Sequence, residues 1–414
     1  MKRGLDWGHF VRHHWEKTPA LLSLGEPVAP PDQVFRTVVE ASEPFRFGTR
    51  FKALPNVKFL AGSAQLRSPG KLLPGDGDRD VDGYVRRVAS KVGKRQFQLL
   101  VEQPLLLDFA LWDRLRVFVR GLLERVGFPV LPIVSDVFLG DFARAPQGLA
   151  RRPHHSVFTL VLQGRLRVRV WKRLWGESPN EAVDFRRHLS EATTLEAGAG
   201  DVLYAPSRSW HLEECRGSCM AVRLWIPVKG SRPADAVKDV LVTLLGQQLP
   251  QEGAVPYLEY PWRRRRGGAG ASVPSLVRTA EGLEELARGP ELLQALRIIW
   301  AQRVSACGLE PVPPPHEAPP LEDSTLVRGA PHGRVVRMQD SPGQWIWAVN
   351  GHAFPMPGST EALQVLESLE SGDAVRVGEL CRVARRAPQR TELRRLLETL
   401  HALRALEVVS GVEG

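Results

Sequence analysis

The chain has 414 residues, more than one hydrophobic core usually organises, so we expect two or three domains. Its 43% share of hydrophobic residues is ordinary for a globular protein, and no apolar run approaches the roughly 18 residues of a membrane span. The net charge of +10 favours an anionic partner such as RNA, the ribosome surface or an acidic peptide, although an arginine-rich composition caused by a GC-rich genome would give the same charge.

The first residues contain no apolar core of a signal peptide, so we expect a cytoplasmic protein. Four cysteines do not form a disulfide framework in a chain of this length. Cys215 and Cys219 have a C-x3-C spacing that suits zinc, but no second cysteine pair follows them.

The N-terminal part, residues 1–230, is predicted to be mainly β with added helices. A helix carrying Phe10, Val11 and Trp15 comes first, and a second helix from Leu111 to Val126 has an apolar stripe at helical spacing. Strands follow this helix. Their apolar segments are 133–139, 157–162, 166–171, 201–204 and 219–226.

The pattern becomes helical between residues 231 and 325. The helical segments are 234–245, 273–285 and 291–307. Their apolar faces suit either packing onto the β part or pairing with a second copy of the chain. A stiff, proline-rich linker, residues 311–320, follows them.

The C-terminal part, residues 326–414, begins with strands at 334–338 and 344–349 that meet an Asn350-Gly351 turn, a strong hairpin signal. Three helical segments then follow, 360–369, 377–384 and 391–406. The third is rich in arginine, with Arg394, Arg395 and Arg404, but it is also needed to cover the local core.

Two segments place histidines at the ends of apolar strands. Residues 153–164 contain His154 and His155 and lead into a strand that ends at Gly164, while residues 200–211 pass through a short strand and a proline turn to His211. A small β-barrel presents imidazoles to a metal at its mouth in this way. Two such strands, with His154 and His211 57 positions apart, therefore indicate a double-stranded β-helix.

Both segments, together with residues 10–21, resemble the cupin-like JmjC oxygenases of the ribosomal-oxygenase group, over nearly the whole chain. The resemblance implies an α+β fold with a JmjC/cupin barrel (1–230), a helical dimerisation region (231–325) and a winged-helix domain (326–414). It implies iron(II) and 2-oxoglutarate as cofactors, a homodimer, and a protein or peptide substrate, ribosomal or acidic. The winged helix looks largely structural in that group, so nucleic acid is a secondary expectation.

In the resembled family, His-x-Asp on one strand and a distal histidine on another hold the iron. His211 matches the distal histidine. If Pro153-His154 is aligned with the family's Pro-His, His154 becomes the proximal ligand and Ser156 falls at the carboxylate position.

A second register, counted back from Val157 without a gap, places Arg151 and Pro153 at the ligand positions, with His155 pointing inward near them. Neither register supplies an aspartate or glutamate. Since serine is a poor iron ligand, the site holds metal through two or three histidines with water or an anion, or holds none. Strand alternation separates His154 from His155 unless a bulge intervenes.

The candidates for binding the 2-oxoglutarate carboxylate are Arg223, on the strand after His211, and Arg167, which alternation turns outward. The leading hypothesis is an iron(II)- and 2-oxoglutarate-dependent oxygenase that hydroxylates a protein or peptide side chain. The alternative is a non-catalytic barrel that binds a peptide or RNA. A halogenase-like site, in which halide replaces the carboxylate, is compatible with Ser156.

Overall fold

The computed structural model describes residues 5–47, 54–93, 96–143, 149–151, 154–172, 185–228, 233–248 and 274–409. The helices in these ranges are α1 (Trp7–His13), α2 (Pro31–Arg46), α3 (Val81–Val92), α4 (Phe109–Val126), α5 (Pro233–Gln248), α6 (Pro274–Arg288), α7 (Glu291–Ser305), α8 (Thr360–Glu370), α9 (Val377–Arg382) and α10 (Ala387–Ala402).

The strands of the first 228 residues are β1 (Ala20–Ser23), β2 (Asn56–Ala61), β3 (Ala64–Leu66), β4 (Phe97–Glu102), β5 (Val134–Phe142), β6 (Ala150–Arg151), β7 (His155–Gln163), β8 (Arg165–Trp171), β9 (Thr193–Gly198), β10 (Asp201–Ala205) and β11 (Trp210–Pro227). Those of the C-terminal part are β12 (Leu326–Gly329), β13 (Val336–Ser341), β14 (Gln344–Val349), β15 (His352–Pro357), β16 (Val375–Arg376) and β17 (Leu406–Val408).

The first part is built on one antiparallel sheet of eleven strands. Strand β11 is long and bent: residues 219–227 lie between β5 and β7, and residues 210–215 pair with β8 and β6. Because one strand takes part in both halves, the sheet curls into a nearly closed barrel. The predicted mixed fold with a cupin-type barrel is confirmed at this level.

The bend of β11 lies at Gly217, whose φ is +78°. Cys215 and Cys219, the two cysteines of the C-x3-C pair, form a disulfide with each other across this bend. Both cysteines are buried on the inner side of the barrel, and the link fixes the turn between the two halves of the strand.

Helix α4 packs on the outside of the barrel as its apolar stripe predicts. Asp108 caps the helix by accepting a hydrogen bond from the backbone N–H of Leu111 at 3.0 Å. Gly127 ends the helix with φ of +87°. The buried stripe of α4 shares one core with α1 and the outer face of β7.

Several elements beside the barrel were not predicted from the sequence. Helices α2 and α3 cover strands β2 to β4, which extend the sheet beyond β5. Helix α1 is confirmed around Phe10, but it ends at His13, before Trp15.

The C-terminal part has its own core beneath α8, α9 and α10. The predicted turn joins β14 to β15, with φ of +50° at Asn350 and +84° at Gly351. The third predicted helix is shifted: α10 begins at Ala387, and Leu406 belongs to β17, which pairs with β12. A left-handed residue, Arg404 with φ of +57°, redirects the chain between them.

Along the chain, helices α5, α6 and α7 come after the barrel strands and before the C-terminal part, as the helical pattern predicts. Buried Arg116 of α4 links these regions by donating to the carbonyl oxygens of Ser305 (3.3 Å) and His332 (2.8 Å). None of the helices in the described ranges is both long enough and apolar enough to cross a membrane.

Gly164 and Gly217 offer a test of the barrel geometry, because both have φ of +78°. A Cβ at Gly164 would lie 2.1 Å from the carbonyl oxygen of Ser218, whereas no heavy atom lies within 4 Å of one at Gly217. Substitution by alanine strains the backbone by about 1–2 kcal/mol at either site. We expect Gly164→Ala to lower the free energy of unfolding by about 1–3 kcal/mol more, because of the clash. Urea unfolding measures this difference, and equal losses would contradict the close approach of this turn to β11.

Candidate functional site

The interior of the barrel is lined by alternate residues of its strands. Its apolar members include Phe138, Val157, Val161, Leu203 and Trp225. Residues at the intervening strand positions, such as Phe158 and Tyr204, face the outer helices instead. The polar side chains on the inner faces therefore define the candidate site.

His211 lies on this inner side. It is buried, with 5% of its surface exposed, and its ring centroid is 6.1 Å from that of Trp225. Its Cα partners on the neighbouring strands are Ala150 and Val170. The structure thus places the predicted distal histidine inside the barrel, and its role as a metal ligand stays a prediction.

The two predicted proximal histidines lie in different environments. His154 is exposed in the turn before β7, and His155 is half-buried opposite Pro227. His155 has the same strand parity as inward-facing Val157, whereas Ser156 has the parity of outward-facing Phe158. In the gapped register, therefore, the serine at the carboxylate position faces away from His211.

Ser156 belongs instead to a hydrogen-bonded group around Glu16 on the outer face. The Glu16 carboxylate accepts hydrogen bonds from the hydroxyls of Ser156, Ser207 and Tyr204, the last at 3.2 Å, and from the backbone N–H of Ser207 at 3.2 Å. The backbone N–H of Glu16 in turn donates to the Tyr204 hydroxyl at 2.8 Å. Glu16 adopts a left-handed φ of +56°, and these bonds hold it there.

Strand β6 supplies the backbone that lies beside His211. Ala150 is directly opposite His211, and Arg151 is opposite Trp210. In the ungapped register, Arg151 is therefore one position away from the residue that faces His211, and Pro153 lies outside the described residues. Neither register places its first ligand position opposite the distal histidine.

Arg223, the predicted co-substrate ligand, is part of a buried ion cluster. Its Nε donates to Asp136 Oδ1 at 2.6 Å, and its Nη1 donates to both carboxylate oxygens of Glu213 at 3.1 and 3.0 Å. Trp225 Nε1 donates to the other Asp136 oxygen at 2.7 Å. The guanidinium lies over the Phe138 ring, 4.8 Å from its centroid. All three charged side chains are at least 94% buried.

The ion cluster carries a net charge of −1, since two carboxylates surround one guanidinium. Burial alone would lower the pKa of Arg223, but the charges of Asp136 and Glu213 outweigh burial and raise its pKa, so it stays charged. Two of the nitrogens that would form a fork for 2-oxoglutarate are bonded to protein carboxylates.

Arg167 lies on the outer surface of β8, as strand alternation predicts. It pairs with Glu196 at 2.6 Å and with Glu214 at 3.5 Å. Leu166 has the opposite orientation and lies in the inner core. The structure therefore separates Arg167 from the side of the barrel that holds His211 and Arg223.

The described residues do not fit the iron centre that the resemblance implies. Such a centre needs three donors on one face of the metal. Across the described ranges, no group of three or more histidine, cysteine, aspartate or glutamate side chains is arranged to hold a metal ion. The inner carboxylates, Asp136 and Glu213, are bonded to Arg223 instead.

Sequence reasoning missed Asp136, Glu213 and Glu16. A signal was present for the first two. Asp136 is an isolated acid in an otherwise apolar strand segment, and Glu213 follows His211 by two residues, so alternation gives both the inner orientation. A buried acid needs a partner, and Arg223 was the basic residue at a matching position.

No protein-family model matches the chain, and no curated protein is significantly similar to it. Among solved structures, the X-ray structure of Escherichia coli ycfD aligns with a TM-score of 0.50 at 17% identity, covering 98% of this chain and 99% of that one. A structure of YcfD, a ribosomal oxygenase from Escherichia coli, gives 0.49 at 17% identity, covering 98% of both chains. Another, in complex with cobalt and 2-oxoglutarate, gives 0.48 at 16% identity, covering 98% and 99%. The chain therefore shares the fold of that protein along nearly its whole length.

Removal of Arg223 tests the ion cluster. We expect Arg223→Met to lower the free energy of unfolding by about 3–5 kcal/mol, because Asp136 and Glu213 stay buried without a counter-charge. Replacing all three, with Asp136→Asn and Glu213→Gln added, should restore much of the loss. The matched control is Arg167→Met, whose partly exposed ion pairs should contribute much less than the buried cluster. Urea unfolding compares the three proteins, and a loss at Arg223 no larger than at Arg167 would contradict the cluster.

Proposed function

We propose that this chain is a non-catalytic relative of the 2-oxoglutarate oxygenases, in which the barrel binds a protein or peptide segment without an iron centre. The ion cluster carries the proposal. Its carboxylates are the inner-face acids that a metal would need, and its guanidinium is the group that 2-oxoglutarate would need. Here the two carboxylates are bonded to the guanidinium instead.

A groove of about 620 Å³ at the end of the barrel supports a peptide ligand. It lies between the end of α4, the end of β11 and the turn before His211, and its lining is mostly apolar. Val130 in this groove is 52% exposed and adds apolar surface to it. The Glu16 carboxylate and Arg208 add charges of both signs at its edge.

Iron(II)- and 2-oxoglutarate-dependent hydroxylation of a protein side chain, such as one on the ribosome, is the second candidate. The buried position of His211 inside the barrel favours it, as does the fold shared with YcfD. Bound iron would supply the activation of dioxygen. This candidate needs two further donors to join His211.

We further propose that residues 231–325 form a dimerisation region and residues 326–414 a winged-helix domain in a cytoplasmic homodimer. Helices α5, α6 and α7 support the first assignment because they expose large apolar side chains, namely Val242, Val277, Leu283 and Leu293. The order α8, β16, α9, α10, β17, with β12 completing the small sheet, supports the second.

Metal and co-substrate binding separates the two candidate functions. Under anaerobic titration with iron(II) and 2-oxoglutarate, we expect no saturable binding tighter than about 1 mM, a weak-affinity limit of roughly −4 kcal/mol. We expect no succinate in air, and no change in either result with His211→Ala. One equivalent of iron bound by the wild-type protein, with succinate formed and both lost in His211→Ala, would establish the oxygenase and overturn the non-catalytic proposal.

The peptide-binding part of the same proposal has its own readout. Peptides selected from a displayed random library would be labelled and their affinities measured by fluorescence polarisation. We expect Val130→Asp to weaken binding at least about tenfold, because a charge enters the apolar groove. The control is Val408→Asp, at a side chain that is 45% exposed in the C-terminal part. Equal affinities for both variants would remove the groove as the binding surface.

Light scattering at micromolar concentration tests the dimer. We expect a mass twice the 46.0 kDa of one chain, and a shift to the monomer when Val242→Glu and Leu293→Glu are combined. Leu363→Glu, at an exposed position of α8, should leave the mass unchanged. A wild-type protein that is monomeric under these conditions would reject the dimerisation region.

A further inference from the structure

A cluster of arginines lies on α9, α10 and the four residues between them. These residues, 377–402, contain six arginines and three glutamates, a net charge of +3. These residues lie in the C-terminal part, outside the barrel and its ion cluster.

Arg382, Arg385, Arg386, Arg390 and Arg395 are exposed, and we call these five the arginine surface. Among the described residues, no ion pair joins any of them to an acidic side chain. Arg390 is anchored at one end, because its Nε donates to the carbonyl oxygen of Ala384 at 2.9 Å. Within the described ranges, therefore, none of the five arginines is neutralised by an ion pair.

Two nearby arginines have structural roles and do not belong to this surface. Arg394 bonds to Asp323 and to the carbonyl oxygen of Leu321. Arg404 lies over the Phe109 ring, 4.5 Å from its centroid, and donates to the carbonyl oxygen of Pro314 at 2.9 Å. Contacts within the protein therefore account for Arg394 and Arg404, but not for the five arginines of the arginine surface.

The helices beneath the arginine surface have a helix-turn-helix arrangement. Leu380 and Cys381 of α9 share a core with Leu393, Leu396 and Leu397 of α10. Their packing fixes the two helices to each other and leaves the opposite face of α10, including Thr391 and Arg395, exposed. The four-residue connection is of the length found in helix-turn-helix units.

The width of α10 favours duplex DNA over duplex RNA as the polyanion that this surface binds. An α-helix with its side chains is about 10–12 Å across, which matches the roughly 12 Å major groove of B-form DNA. The major groove of an RNA duplex is deep and too narrow for a helix. Arginines on the connection and at the start of α10 are positioned to reach phosphates on the groove edge, as in other helix-turn-helix proteins.

We propose that α9 and α10 form a binding site for duplex DNA, with α10 in the major groove and the arginine surface on the phosphate backbone. Glu392 is the acidic residue on the exposed side of α10. The carboxylate of Glu392 would be repelled by DNA phosphates. We therefore place it over the base edges, where carboxylates accept hydrogen bonds from cytosine.

The test is fluorescence anisotropy of the full-length protein with a labelled 24-base-pair DNA duplex of random sequence. If all five arginines contact phosphates, the affinity should fall by about 10²–10³-fold between 50 and 200 mM salt. An RNA duplex of the same length should bind at least about tenfold more weakly than the DNA, because α10 cannot enter its groove.

Two charge-reversed proteins give the matched comparison. Arg385→Glu with Arg386→Glu should lose at least about tenfold in DNA affinity, whereas Arg36→Glu with Arg79→Glu makes the same charge change on exposed residues far along the chain and should lose much less. Arg385→Gln with Arg386→Gln repeats the test without introducing negative charge, and circular dichroism confirms folding. Absent DNA binding at 50 mM salt, equal binding of RNA, or equal losses in the two charge-reversed proteins would each overturn the proposal.

Discussion

The ion cluster of Asp136, Arg223 and Glu213 determines what the barrel interior can hold. It joins β5 to both halves of the bent strand β11, since Glu213 precedes the bend and Arg223 follows it. Charges removed from water are tolerated only while each has a partner, so none of the three can be released cheaply for a ligand. A ligand at the centre of the barrel would therefore have to displace one of these three groups from its partners.

The sequence predicted the barrel because its strands follow simple rules. The segments around Val157, Leu203 and Ala221 are apolar and bounded by turns, and β7, β10 and β11 form where they lie. The pattern did not reveal α2, α3 or β2 to β4, whose packing depends on contacts between distant parts of the chain. The end of α10 was misplaced because one left-handed residue, Arg404, sends the chain into a strand that only a distant partner stabilises.

The candidate site was harder to predict, for a physical reason. His211 could be placed inside the barrel because strand parity fixes its face. The role of Arg223 could not be read from parity, since the same inward guanidinium serves either a ligand or an internal carboxylate. In the folded chain, Asp136 and Glu213 reach it from another strand and from the other half of β11. The orientation of Ser156 likewise depends on Glu16, which lies 140 residues earlier in the chain.

The bond between Ser156 and Glu16 limits where a carboxylate ligand for a metal could be introduced in this barrel. An aspartate at position 156 would meet the Glu16 carboxylate on the outer face, and two like charges at hydrogen-bonding distance repel. Strand β6 offers a better starting point, because position 150 is directly opposite His211. Opposed residues of antiparallel strands have Cβ atoms about 5 Å apart, a spacing that two ligands of one metal ion can share. A second metal ligand is therefore easier to place beside His211 on β6 than at the serine that sequence alignment selects.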